Sequence, residues 1–176
     1  SGDHSTLGDI GEWVEDLAST GTERFVVVVD YLQKIPVHGD GLQMETEITT
    51  HLTQGLKELA MRTGARVIAI AASDRPGLKS KRIRLADMRG SSALQYEADV
   101  AVMLNNKYDV VSREHLISNL TRAEQMRNWV VVTMEKNRAG RTAVDMEHAF
   151  EPAQFRLAPT GDFVRERLVD EKVILE

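Results

Sequence analysis

Five residues in a row, Phe25-Val26-Val27-Val28-Val29, are aromatic or β-branched with nothing polar between them, and an acid, Asp30, follows at once. A half-solvated strand would alternate apolar and polar residues, so this run predicts a strand covered on both faces, the kind found in parallel sheets. A second run, Val67-Ile68-Ala69-Ile70-Ala71-Ala72, comes after a segment in which Ile48, Leu52, Leu56, Leu59 and Ala60 recur at helical spacing until Gly64 closes it. Strand, helix and strand at this length make a βαβ unit with a right-handed crossover. Ahead of it, Leu7, Ile10, Trp13, Val14 and Leu17 form the apolar stripe of an amphipathic helix ended by Gly21. The fold class that follows is α/β.

Further along, Ser73 to Ala86 reads as a long polar loop, Asp87 to Glu97 as a short helix, and Val100 to Leu104 as a third buried strand. Asn105 to Arg127 is polar and irregular, read as a mobile excursion. Trp129 to Met134, Ala143 to Ala149 and Gln154 to Leu157 are closing strands, the last two antiparallel because Glu151-Pro152 separates them so briefly. A length of 176 residues with 42% hydrophobic content fits one domain with a real core, here residues 1–160, followed by a charged tail from 161 to 176 that is a helix or a loose arm.

Composition removes several function classes. Lys and Arg number 22 against 27 Asp and Glu, so the chain does not coat nucleic acid or membrane through bulk charge. Having no cysteine, it has no disulfide, thiolate metal site or cysteine nucleophile, which is compatible with a reducing cytoplasm. His4, His38, His51, His115 and His148 lack ligand spacing, which argues against zinc. No apolar run reaches the roughly 18 residues that span a bilayer, and no basic start precedes an apolar stretch, so neither a membrane nor a secretory protein is expected. The missing initiating Met points to a trimmed chain.

Three places can carry chemistry. Asp30 ends the first strand, where open α/β sheets bind ligands; it either holds Mg²⁺ through the ion's water shell beside a bound phosphate or simply caps a turn. From Arg75 to Arg89 the chain carries Arg75, Lys79, Lys81, Arg82, Arg84 and Arg89 against Asp87 alone, a basic loop that either meets phosphates or is merely solvated. Lys136 and Arg138, two residues apart at a strand end before Gly140, share a face by alternation; they either clamp phosphate oxygens or project into water. A phosphate-cradling loop needs Gly, four residues and Gly-Lys-Ser/Thr, and Gly77-Leu78-Lys79-Ser80 does not satisfy it.

Taken together the motifs resemble, in order, those of the DnaB-type replicative helicases. Phe25 to Gln33 (FVVVVDYLQ) resembles the Walker B strand with its Asp-Tyr-Leu-Gln ending, and Leu56-Lys57-Glu58-Leu59-Ala60 resembles the helix after it. Val67 to Ile70 with Arg75 is similar to the next strand and its sensor loop. Asp87-Met88-Arg89-Gly90-Ser91-Ser92 through Ala98-Asp99 is similar to the family's DNA-facing segment, and Lys136-Asn137-Arg138-Ala139-Gly140 to its Lys-Gln-Arg-Asn-Gly. Phe155 stands where the family ends its core in a phenylalanine. The likeness runs from Leu7 to Leu157.

The resemblance implies a RecA-like P-loop NTPase core, mostly parallel with flanking helices and antiparallel closing strands, incomplete on its N-terminal side. It implies ATP and Mg²⁺ as cofactors, Asp30 as the carboxylate behind the Mg²⁺ water, and Arg138 with Lys136 as a finger reaching a neighbouring subunit's nucleotide. It also implies Arg89, Gly90 and Ser92, beside the basic loop, near single-stranded DNA in a homo-oligomeric ring, a hexamer, acting in cytoplasmic DNA replication. Ala72 stands where the family has a sensor glutamine, and Gly90 where it has a glutamate. The helicase reading therefore stands beside two others, a RecA-like recombinase or mediator and a degenerate module that binds a partner without turnover.

Overall fold

The computed structural model describes residues 5–37, 44–73, 82–88 and 91–169, the side chain of Ser91 excepted. The chain forms two compact units, one from Ser1–Asp74 with Ala86–Ala98 and one from Arg75–Leu85 with Asp99–Glu176.

In the first unit α1 spans Leu7–Ser19, β1 Val26–Val29, α2 Glu45–Thr63, β2 Arg66–Ala69 and α3 Ser91–Glu97. Thr6 starts α1 with a capping box: its Oγ1 accepts from the Asp9 amide at 3.2 Å, while Asp9 accepts from the Thr6 amide at 2.8 Å. Gly64 ends α2 in the left-handed region, which spares the chain a Cβ clash. β1 and β2 are parallel, with Val26 opposite Arg66 and Val29 opposite Ala69. Val29, Leu32, Ile35, Leu52 and Leu56 form the core, joined by Leu7, Ile10, Val27, Val67 and Leu94. The helices approach closely at Gly55, where a Cβ would come within 2.4 Å of the Leu7 side chain.

One expectation is corrected here. Among the described residues β1 and β2 are covered on one face only: α1 and α2 take Val27, Val29 and Val67, whereas Val26, Val28 and Ile68 remain more than half exposed. An unbroken apolar run signals a strand whose two sides both prefer burial, but it cannot say what covers the second side.

The second unit is a four-stranded antiparallel sheet in the order β3-β4-β5-β6, with β3 at Val100–Asn106, β4 at Trp129–Asn137, β5 at Val144–Glu151 and β6 at Arg156–Phe163. β5 and β6 pair antiparallel as expected, through a turn in which Pro152 opens a short 3-10 segment and Phe155 takes φ 48°. β3 differs from the buried strand expected. It alternates, with Ala101, Met103 and Asn105 buried and Val100, Val102 and Leu104 exposed, because its partner is the antiparallel β4 in a sheet packed on one side. The stretch from Asn105 to Arg127 also differs from a loose excursion. It folds into α4 (Lys107–Val110), α5 (Arg113–Ser118) and α6 (Leu120–Gln125), and Val110, Val111 and Met126 pack with Val131 and Leu168. Leu168, only 1% exposed, lies in the segment set apart as a tail.

Charges are buried in this unit as linked ion pairs. Lys107 Nζ lies 2.7 Å from Glu147 and 2.8 Å from Glu166, and Glu166 also accepts from Arg122 at 2.6 Å. Burial alone raises the Glu166 pKa, but the hydrogen bond from Lys107 and the nearby positive charges outweigh it, so the carboxyl lies below the ordinary glutamate range. A depressed carboxyl contributes stability that is present above its unfolded pKa, about 4.3, and is lost as pH falls through its folded value. Glu166→Gln is therefore expected to lower the urea midpoint at pH 7, and the gap to the unmodified chain should close progressively below about pH 4.

Candidate functional site

Asp30 is exposed at the carboxyl end of β1, and its carboxylate makes no hydrogen bond or ion pair with another described residue. The backbone beneath it is held tightly. Ile70 N–H donates to Val29 O at 2.9 Å and Leu32 N–H to Ile70 O at 2.7 Å, extending the parallel ladder past both strands. Leu32, fully buried, anchors the turn in the core. Gln33 adds a tie that sequence reading missed: its carboxamide Nε2 donates to Ala72 O at 3.3 Å and its Oε1 accepts from Ala72 N–H at 3.1 Å. The two strand ends are thus fixed to each other at Ala72. The Asp-Tyr-Leu-Gln ending was a usable signal, since a glutamine just past a strand is well placed to bond a neighbouring strand's backbone.

Lys136 and Arg138 lie at the other end of the molecule's motif order. Lys136 is half-buried in β4 opposite Ala101, beside a bulge at Ala101/Val102. Arg138 stands in the turn beyond the strand, its amide donating to Asp99 O at 2.9 Å and its Nη1 lying 2.8 Å from Asp99 Oδ1. Asn137 folds over the same turn, accepting from Ala139 N–H at 3.2 Å, and a Cβ on Gly140 would come within 2.8 Å of its Nδ2. Both partners of the Arg138–Asp99 pair are more than half exposed, at 58% and 57%. Such surface pairs contribute about 0–1 kcal/mol, so this one opposes redirection of the guanidinium only weakly.

The basic loop divides. Arg75, Lys79, Lys81, Arg89 and Gly90 lie outside the described residues. Arg82 corrects the expectation of a phosphate-facing cation: its side chain is 2% exposed, ion-paired with Asp145 and 3.2 Å from Thr133 Oγ1. A cation in a polar run looks solvent-bound in sequence, but β4 and β5 supply its partners from more than fifty positions away. Arg84 is paired with Glu135 at 2.7 Å and partly exposed. Ser92 is exposed in the first turn of α3.

A nucleotide-borne Mg²⁺ keeps most of its waters and needs one or two carboxylates rather than a protein cage. Asp30 fits that requirement as an open carboxylate on a fixed strand end. Among the described residues no group of three His, Asp or Glu side chains could cage a metal ion by itself, and no helix is long and apolar enough to cross a membrane.

A parallel pair with an aspartate at its strand end and a sheet of antiparallel closing strands make an α/β fold, and solved structures share it. The chain superposes on one solved ATPase domain with a TM-score of 0.70 at 21% identity, over 89% of this chain and 52% of that one. It superposes on a DnaB-like replicative helicase, solved in a study of its interactions with primase, with a TM-score of 0.66 at 21% identity, over 92% of this chain and 36% of that one. The chain thus spans about half and about a third of these two proteins. No curated protein matches it significantly. Residues 5–157 match the DnaB-like helicase C terminal domain, and the chain belongs to that family.

Proposed function

We propose that this chain is the carboxyl-terminal part of a ring-forming, ATP-dependent DNA helicase motor of the cytoplasm. In this reading Asp30 would hold Mg²⁺ through the ion's water shell, and Arg138, assisted by Lys136, would leave Asp99 to reach the nucleotide of an adjacent subunit. When bound, Mg²⁺ supplies charge neutralisation at the phosphates. Arg84 and Ser92, and beyond the described residues Arg75, Lys79, Lys81, Arg89 and Gly90, would each contact single-stranded DNA without base readout. The observation that carries the reading is Asp30 itself, an open carboxylate on a strand end that Gln33 locks to Ala72. The family match favours the helicase over a recombinase or mediator.

By itself the chain lacks the loop that cradles β- and γ-phosphates, so it is expected to show no ATP affinity in the micromolar range by calorimetry and no Mg²⁺-dependent phosphate release. Supplying in cis an upstream segment with a Gly-Lys-Ser/Thr loop should confer both. Tight ATP binding by the 176-residue chain alone, lost in Asp30→Ala, would overturn the division of labour. The second reading, a binding module without turnover, draws on Ala72, whose methyl cannot hydrogen-bond a γ-phosphate. It predicts no hydrolysis even with the loop supplied.

A further inference from the structure

Residues 164–169 lie beyond the stretch matched by the helicase family and leave the β6 ladder to cross α4 and α5 as an extended strap. Ser112 N–H donates to Arg167 O at 2.8 Å, Val169 N–H donates to Val110 O at 2.9 Å, and Arg167 N–H donates to His115 Nε2 at 3.1 Å. Val111 and Leu168 form an antiparallel bridge. The side chains alternate as in a strand: Val164, Glu166 and Leu168 turn inward, Arg165 and Arg167 outward. Leu168 fills an apolar seat made by Val110, Val111, Met126 and Val131. Glu166 is gripped from two sides, by Lys107 at 2.8 Å on Oε2 and Arg122 at 2.6 Å on Oε1. Recognition by strand addition has this form, in which main-chain bonds hold the segment and alternate side chains specify it.

The seat keeps its own support when the strap is taken away. Lys107 retains Glu147 at 2.7 Å, so its buried ammonium is not left unpaired, and Arg122 is exposed enough to be solvated. Val110, Val111, Met126 and Val131 still pack on one another and on Tyr108 and Leu116. At the junction, Phe163 and Arg165 are exposed, and Val164 N–H makes a single backbone bond, to Asp145 O at 3.0 Å.

We propose that the α4–α6 face of this unit is a peptide-docking groove for an extended segment with a carboxylate and, two residues on, a leucine-sized apolar side chain, and that 164–169 is its resident cis ligand. A partner carrying the same pattern docks by displacing the strap. The inference needs nothing from the ATP chemistry and stands or falls separately from it.

The test uses the whole chain with Glu166→Lys and Leu168→Asp, which releases the strap, beside the unmodified chain. The probe is a fluorescent peptide of the sequence Val164 to Val169, and a second peptide carries the same two changes. Anisotropy should show micromolar binding to the released variant, binding roughly tenfold or more weaker to the unmodified chain because its own strap competes, and no binding of the altered peptide to either. A variant that keeps amide protection at Val131 yet takes up no peptide at ~1 mM overturns the proposal. Equal affinity for both chains overturns it too. Loss of protection at Val131 in the variant would make the strap an integral part of the core and equally refute a detachable ligand.

Discussion

In a protein that supplies the phosphate-binding loop, Arg138→Ala is expected to leave nucleotide affinity within roughly twofold while lowering turnover by about 10³-fold, because a finger acts on charge that develops only in the transition state. The structure adds a control. Arg138 is tethered to Asp99 by an exposed ion pair and by its own amide, so a structural role would draw on that pair. Asp99→Ala removes the side-chain tether but leaves the guanidinium, and turnover should stay within a few-fold of the unmodified enzyme. Steady-state kinetics of the two variants, with nucleotide affinity measured separately, separate the roles: losses of similar size in both would mean that Arg138 holds the turn and does not touch the nucleotide.

Arg82→Ala should act on stability. The guanidinium is buried against Asp145 and Thr133, and removing it leaves a carboxylate with no cation among the described residues in a partly closed site. Breaking a buried pair from one side costs about 3–5 kcal/mol, a large fraction of the stability of a small chain. With a urea dependence of about 1–3 kcal/mol per molar, the midpoint should fall by one or more molar units. Replacing both partners with apolar residues, Arg82→Met with Asp145→Leu, should recover much of the loss, since it removes the orphaned charge as well. An Arg82→Ala chain of unchanged stability that binds single-stranded DNA more weakly would restore the phosphate-facing role that its sequence context implies.

What the sequence made legible was local. The run from Phe25 to Val29 marked a strand, the spacing from Ile48 to Leu59 marked the helix after it, and the pairing of β5 with β6 followed from the shortness of the Glu151-Pro152 turn. Asp30 and Arg138 were singled out by their positions at strand ends, and the structure leaves both exposed. The losses were non-local. Coverage of the Val26 and Val28 face depends on what packs there, which a run of valines does not encode. Arg82 looked like its cationic neighbours because the acid that neutralises it, Asp145, lies 63 residues away on another strand. Charge patterning likewise hid Leu168: one leucine among Arg165, Glu166, Arg167 and Asp170 reads as a solvated arm until the apolar cluster it joins is seen. Gln33 sat inside a motif read for its aspartate, and only the geometry at Ala72 shows why a carboxamide stands there.

In the proposed motor one catalytic site is divided between subunits, with Asp30 on one side and Arg138 on the other. Mixing subunits tests it most directly. Subunits carrying Arg138→Ala and subunits carrying Asp30→Ala, each inactive alone in a protein with its phosphate-binding loop, are combined over a range of ratios, with mixed rings verified by native mass spectrometry and ATP hydrolysis measured. Activity should reappear and peak near equal proportions, because some junctions then join an intact Asp30 to an intact Arg138. Rings proven to be mixed that hydrolyse no ATP at any ratio would contradict the account.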